Sequence, residues 1–446
     1  MLRNEVADFH DRMFNNDAHI GHNKFVVLVD KTTGNAKAVL AGSTNWTFTG
    51  LCTQSNNVII VDDPAVAGAY YAYWQRLRDD RLSVPKPLSA PNNNKQGQTL
   101  RAADMKSSHA ALNVDDKADV TLWYSPNTKA ATKKAQTPPD LAEVFELMNG
   151  ARDAIFFLTF YPSMAGDKSI IAESLDAALK KDLLVLGAIS DGRALPGEPS
   201  TGAASRKKKS LSAAATTGRN AKAGKKKTGA KKRASRPVAR KRNSAPMTTR
   251  VSVVRSARVA SPVRRNKPVK GANRAKSAKS GKKKQPQPKR AIYHNPKAPD
   301  VLMVRAAAIS DFDLIGDWEH EMLKYGQAII HDKIVVIDPL SNDCVVVTGS
   351  HNLGFKASYA NDENMLIIKG NRALATAYMV HVLDVYDHYK FRAILEQQAY
   401  ERAMGKPGQK PPVGQGILNV DDTWQDKYVG PKPTRQQAYF LNATMT

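Results

Sequence analysis

Two cysteines in 446 residues, Cys52 and Cys344, leave no disulfide framework and no CxxC metal signature. They fit a reducing compartment. The opening MLRNEVADFHDRMF lacks the apolar centre of a signal peptide. A cytoplasmic protein is therefore expected, although an extended start carrying a secretion signal would reopen that reading. No run approaches ~18 uncharged apolar residues, so no transmembrane segment is expected. Acidic residues are missing altogether from residues 201–290, which hold 31 of the chain's 67 Lys and Arg. The rest has 36 basic and 41 acidic residues, a net of −5, so the formal +26 belongs to one segment. No carboxylate cluster of the type that holds Mg²⁺ or Zn²⁺ is visible.

What the chain does have is one short pattern written twice, 309 residues apart. The first copy reads His22-Asn23-Lys24, an apolar run Phe25–Val29, Asp30, then Gly42-Ser43-Thr44-Asn45. The second reads His331-Asp332-Lys333, an apolar run Ile334–Ile337, Asp338, then Gly349-Ser350-His351-Asn352. Each copy puts an imidazole, an ammonium, a hydroxyl and an amide on neighbouring strand ends. Two such sets facing each other would surround one phosphate, which points to phosphodiester chemistry. An isolated H-x-K is cheap and is usually a surface histidine beside a lysine; recurrence of the whole order is what carries weight.

The duplication runs on past the motifs. Gly42 to Val58 and Gly349 to Met365 are both sixteen residues, and each leads into an apolar strand and then a helix. Asp63 before Pro64 reads as an N-cap with proline at the first helical position. Upstream of the second copy, alternating strand and helix patterns (119–124, 140–149, 154–161, 168–181, 183–189) predict a sheet covered by helices. Only 21 residues precede His22. About half of the first unit is thus missing from the chain, read as a truncated start or a fragment rather than a half supplied by a partner. The expected organisation is a first unit over 1–81 (C-terminal half only) and a polar linker over 82–117. A second unit then runs over 118–196 and 292–404, with a disordered Lys/Arg-rich insert over 197–291 and a Pro/Gly-rich tail over 405–446.

These residues resemble the phospholipase D superfamily, whose signature is HxKxxxxD followed by GSxN or GSxxN. The second copy fits to the letter; in the first, one extra residue separates Lys24 from Asp30. The resemblance covers about 1–80 and 118–400. It implies an α/β fold of two units, each a mixed sheet flanked by helices, with both motifs in one cleft. It also implies that His22 and His331 are the catalytic histidines and that the reaction passes through a phosphohistidine without metal or other cofactor. Lys24 and Lys333 would stabilise charge on the phosphate, and Ser43, Asn45, Ser350 and Asn352 would bind its oxygens. Glu363, opposite Asn56 when the copies are aligned, would orient His22, and Asn56 would orient His331. A carboxylate behind His22 favours it as nucleophile, with His331 as general acid. Asp30 and Asp338 complete the outer set as strand-end carboxylates that anchor turns. His351 reads as a permissive position, since Thr44 stands there in the other copy. Tyr70, Tyr71, Tyr73 and Trp74 read as core.

The leading expectation is a phospholipase D-type hydrolase of phospholipid headgroup esters. The runner-up is a nucleic-acid phosphodiesterase, favoured by the basic segment, which would hold nucleic acid or an anionic surface electrostatically. A third reading is an inactive polyanion-binding protein.

Overall fold

The computed structural model describes residues 9–10, 20–80, 95–127, 136–160, 168–190, 292–293, 297–306, 330–403 and 434–442. The basic insert lies outside the described residues. The first copy forms a three-stranded antiparallel sheet of β1 (Val26–Val29), β2 (Ala36–Gly42) and β3 (Val58–Val61). A short helix α1 (Phe48–Cys52) follows β2, and α2 (Pro64–Asp79) follows β3. The N-cap is as the sequence predicts, with Asp63 accepting from the Val66 amide at 2.8 Å.

The second copy lies in a nine-stranded mixed sheet, ordered β4-β5-β12-β11-β10-β6-β7-β9-β8. Its members are β4 (Ala110–Val114), β5 (Ala118–Ser125), β6 (Ala154–Thr159), β7 (Leu184–Ile189), β8 (Ile292–Tyr293), β9 (Val301–Arg305), β10 (Lys333–Ile337), β11 (Val345–Gly349) and β12 (Glu363–Lys369). β6, β7 and β9 run parallel and the other pairs antiparallel. Helices α4 (Pro139–Gly150) and α5 (Ile170–Lys181) cover one face, where Leu141, Phe145 and Ile171 meet Ile155, Val335 and Ile367. The other face shares a core with α7 (Arg372–Ala403), with α2 and with the inner side of the three-stranded sheet. α6 (Phe355–Tyr359) is the counterpart of α1.

Two expectations need correcting. Residues 95–114, assigned to a polar linker, carry α3 (Lys95–Ser107) and β4. The signal missed was the Asp115-Asp116 pair, both at positive φ (52° and 53°), with the Lys117 amide bonded to Val114 O; this is the geometry a tight hairpin turn requires. The tail, read only as Pro/Gly-rich, carries α8 (Arg435–Asn442), whose Tyr439 is buried against Phe156. An eight-residue amphipathic turn of helix is too short to stand out beside Pro and Gly.

The extra residue between Lys24 and Asp30 is absorbed by a β-bulge at Leu28/Val29. Asp30 therefore still ends its strand, accepting from the amides of Thr32 and Thr33 and pairing with Lys37. Asp338 likewise accepts from the amides of Arg152, Asp153 and Ala154, each at 2.9 Å, and so ties β10 to the start of β6.

The copies differ in what covers them. Val335, Ile337, Met365 and Ile367 are 3% exposed or less beneath α4 and α5. Their counterparts Val26, Leu28, Val58 and Ile60 are 44% to 67% exposed.

Replacing Asp338 by Ala should destabilise the fold by about 1–3 kcal/mol, because three strand-end amides lose their shared acceptor. Urea unfolding of D338A against D338N checks this. The loss should be smaller in D338N, which keeps an acceptor oxygen, and kcat of the folded fraction should change little.

Candidate active site

Both copies place their polar groups at one end of their strands: H-x-K before the first strand, G-S after the second, and Asn56 or Glu363 at the start of the third. The two ends meet. The chain before β1 makes a parallel bridge to the second copy at Gly21–Asp362, and the chain before β10 makes one to the first at Ser55–Ile330. The amide of His22 donates to Asp362 O at 3.0 Å, and that of His331 to Ser55 O at 2.9 Å. The imidazoles end up with ring centroids 6.2 Å apart. That is about twice the ~3–3.5 Å separation of atoms poised to react, so the gap is of the size one phosphoryl group needs.

Each ring is held by the other copy. Glu363 Oε2 lies 2.7 Å from His22 Nδ1, and Asn56 Oδ1 lies 2.8 Å from His331 Nδ1. The Asn56 amide donates through Nδ2 to Gly50 O, which fixes its carbonyl oxygen toward His331. Both rings therefore donate from Nδ1 and keep Nε2 for substrate. Glu363 is fully buried and accepts from His22, Ser350 Oγ and Asn361 Nδ2. Burial pushes its carboxyl upward, but the hydrogen bond and charge of His22, with His351 and Asn361, hold it below the usual range, so it is ionised.

The serines do something other than expected. Ser43 Oγ donates to Asn56 and Ser350 Oγ to Glu363, and each accepts an amide from the third strand. Both are fully buried. Their hydroxyl protons are committed to the braces, so the assignment of Ser43 and Ser350 as phosphate ligands is corrected. The preceding glycines have φ of +150° (Gly42) and +133° (Gly349), and a Cβ there would lie 2.3 to 2.4 Å from the carbonyl oxygens of Asn57 and Asn364. That close approach brings each serine onto its brace.

Lys24 and Lys333 each donate to the carbonyl of their own histidine, leaving further ammonium protons for an anion. Burial pushes Lys24 down to about 8, partly offset by Glu363, and Lys333 down to about 7, with the Lys24 charge adding to the effect. His331 is pushed down to about 3 by burial and by the charges of Lys333, Lys24 and His22. It is therefore neutral in the empty site. Asn352 has a buried amide oxygen without a partner, and Asn45, its counterpart in the first copy, is half-buried. Phe160 flanks the site, 4.9 Å from the His331 ring and 4.9 Å from Lys333 Nζ. Among the described residues no three His, Cys, Asp or Glu side chains are grouped to hold a metal ion.

Asp30 and Asp338 do not join this group. At ~3.3 Å per residue, β10 carries Asp338 about 16 Å from Lys333, to the opposite end of the sheet. Listing them among the groups that support the site is corrected: they anchor turns. His351 is buried, accepts from the Leu353 amide at Nδ1 and bonds Asp140 through Nε2 at 3.2 Å, so it braces the motif loop against α4. Trp46 is exposed.

Several supporting residues escaped the sequence reading. Tyr73 OH donates to Ser125 O and lies 3.1 Å from Glu363 O; Tyr70 OH donates to Asn364 Oδ1. Asn364 in turn donates to Asn23 Oδ1, and Asn57 donates to Thr348 Oγ1 and Tyr378 OH. The signal was present: Asn57 and Asn364 lie fifteen residues after their glycines, and Tyr70 and Tyr378 seven after their caps.

A family model described as "Cardiolipin synthase, PLD-like domain" matches residues 293–382, the stretch holding the second motif and Glu363, the brace of His22. Over these residues the chain is similar to a phospholipase D-like domain. Matching solved structures include a phospholipase D family member, Nuc from Salmonella typhimurium, at 14% identity over 61% of this chain and 95% of that one (TM-score 0.27). Another is phosphatidylserine synthase from Haemophilus influenzae Rd KW20, at 11% identity over 86% of this chain and 68% of that one (TM-score 0.37). Both TM-scores fall below 0.5, so the likeness rests on the family match and on the paired motifs. No curated protein matches the chain at a significant level.

The lysine shifts give a signed expectation. As pH rises through about 7 and then about 8, Lys333 and Lys24 lose their charge and an anionic substrate loses its partners. The value of kcat/KM for an aryl phosphodiester should therefore fall over that range. The basic limb of kcat should lie higher, since a bound anion favours both ammoniums. Steady-state pH profiles of the two constants check it.

Proposed function

We propose that the chain is a phospholipase D-type phosphodiesterase that cleaves phospholipid headgroup esters through a phosphohistidine. The observation that carries the reading is the exchange of braces, Glu363 to His22 and Asn56 to His331, around a gap of phosphoryl size. His22 Nε2 attacks phosphorus; the P–N bond forms as the bond to the headgroup oxygen breaks. The His331 imidazolium passes its Nε2 proton to that oxygen. The incoming phosphodiester anion offsets the positive charge of Lys24 and Lys333, which is what lets His331 hold a proton it lacks in the empty site. Neutral His331 then takes a proton from water, whose oxygen attacks phosphorus and breaks the P–N bond. An alcohol in place of water gives transfer. Glu363 would stabilise the positive ring of the phosphohistidine, which supports His22 as nucleophile. Lys24 and Lys333 hold the nonbridging oxygens in the transition state.

The family model named for cardiolipin synthase supports a lipid ester. The second reading, a nucleic-acid phosphodiesterase, draws on the 31 basic residues of 201–290. That segment has no aromatic residue on which bases would stack, so its hold on nucleic acid would be electrostatic and salt-sensitive.

Phosphatidylcholine, cardiolipin and single-stranded DNA assayed side by side in EDTA, with and without residues 200–290, separate these readings. Lipid cleavage that survives the deletion is expected; DNA cleavage that depends on the segment would replace the lipid reading. No turnover of any of them, or of an aryl diester, would leave an inactive polyanion-binding protein. For the roles, H22A should abolish phosphoenzyme. H331A should lose about 10²–10⁴ in kcat on alkyl leaving groups and far less on aryl ones, which need no proton. A phosphohistidine mapped to residue 331 would reverse the roles.

A further inference from the structure

The middle residue of each H-x-K triplet reaches across to the other copy, and it takes hold beside the brace of its own histidine. In the first copy Asn23 Oδ1 accepts from Asn364 Nδ2 at 2.8 Å, and Asn364 follows Glu363, the brace of His22. In the second, Asp332 Oδ2 accepts from Ser55 Oγ, and Ser55 precedes Asn56, the brace of His331. Duplication alone does not require this. Asp332 stands where Asn23 does, but Asn57, the counterpart of Asn364, donates to Thr348 Oγ1 and Tyr378 OH instead. Different residues thus make an equivalent link in the two halves.

Around His331 the link closes a ring of contacts. Residues 331–332 meet residues 55–56 three times: His331 N to Ser55 O at 2.9 Å, His331 Nδ1 to Asn56 Oδ1 at 2.8 Å, and Ser55 Oγ to Asp332 Oδ2. Ser55 and Asn56 lie between α1 and β3, in neither element, so bonds of this kind fix their place. Asp332 is suited to hold them. It is fully buried, and His381 Nε2 on α7 lies 3.3 Å from the same Oδ2. Its other oxygen has no hydrogen-bond partner among the described residues, so the carboxyl is held through Oδ2. The Ser55 hydroxyl is thereby tied to the second unit. Asn56 needs such support more than Glu363 does. It is a neutral amide whose one oxygen serves both Ser43 Oγ and His331 Nδ1, and a neutral acceptor holds a ring less firmly than a carboxylate.

We propose that Asp332 is a positioning residue for His331: by fixing Ser55 it keeps the Asn56 oxygen on Nδ1 and so aims Nε2 at the leaving oxygen. The aiming of Nε2 rests on the phosphodiesterase reading with His331 as proton donor. The fixing of Nδ1 rests on the contacts alone.

The test uses S55A, which removes the hydroxyl but leaves Asp332, Asn56 and the backbone bridge. S55T keeps a hydroxyl and serves as the rescue, and D332A removes the acceptor. One arm follows the His331 Nδ1–H by ¹⁵N-edited NMR and needs no turnover. Exchange of that proton with water should speed up about tenfold in S55A and in D332A, with the His22 Nδ1–H unchanged and S55T close to wild type. The other arm compares kcat on diesters with an alkyl and an aryl leaving group. S55A should lose about tenfold on the alkyl diester, part of the ~10²–10⁴ that proton donation supplies, and less than about twofold on the aryl one. The double variant D332A/S55A should be no worse than the poorer single variant, since both remove one bond. Equal losses on the two diesters, or unaltered exchange at His331 in folded S55A, would overturn the proposal, because a pair that only stabilises the fold gives one or the other. Should D332A not fold, S55A and S55T carry the test. The expected exchange rates with no turnover in wild type would sink the enzyme reading and leave the fixing of His331 standing.

Discussion

The structure turns on a hydrogen bond made twice across the duplication, from a histidine of one copy to an acceptor on the third strand of the other. Neither half holds its own imidazole. His22 without Glu363, or His331 without Asn56, would keep its backbone position but lose the partner that fixes which ring nitrogen carries the proton. The bridges Gly21–Asp362 and Ser55–Ile330 set the distance at which that exchange is possible. Docking of the halves and assembly of the site are therefore one event, and the interface between copies is built from the same short segments as the chemistry.

The acceptors are not equivalent, and the asymmetry propagates. A carboxylate behind His22 and an amide behind His331 give the two rings different tasks from the same geometry. Around them, two ammoniums and an imidazole are buried with one ionised carboxylate in direct contact. Burial pulls Lys24, Lys333 and His331 down, and neighbouring positive charge adds to the pull on Lys333 and His331, so such a site favours an anion. An anionic phosphodiester offsets that charge. On the proposed mechanism, binding energy and proton affinity are thus coupled: the ligand that needs a proton donor is also what allows His331 to become one.

The repeated motif and the strand and helix that follow each copy were legible in the sequence, because duplication supplies an internal alignment; the crossed pairing of Glu363 and Asn56 came only from the family resemblance. The functions of Ser43 and Ser350 were not legible. A hydroxyl in G-S-x-N reads as a phosphate ligand until the glycine geometry shows that the strand end folds back onto Asn56 or Glu363. Tyr73 read as core and is core, yet its hydroxyl sits against the backbone of Glu363; burial and brace are the same fact for a phenol with one polar atom. β4 was missed because Asp115 and Asp116 were weighed as polar residues rather than as a turn at positive φ. In each case the lost information is directional, and composition along a chain does not carry direction.

The uncovered sheet of the first copy bears on how much of each unit the site needs. Val26, Leu28, Val58 and Ile60 face outward where their counterparts lie under α4 and α5. The groups that hold the imidazoles approach from the other side or from the strand ends: Tyr70 and Tyr73 on α2, Tyr378 and His381 on α7, and the turns carrying Ser43 and Ser350. The second copy adds one contact from its covered side, the His351–Asp140 bond that ties its motif loop to α4, where Thr44 in the first copy bonds Asn57 O instead. A motif loop can thus be secured from within its own three strands. For that reason the two halves can differ so widely in what surrounds them and still bring matched histidines to within 6.2 Å of each other.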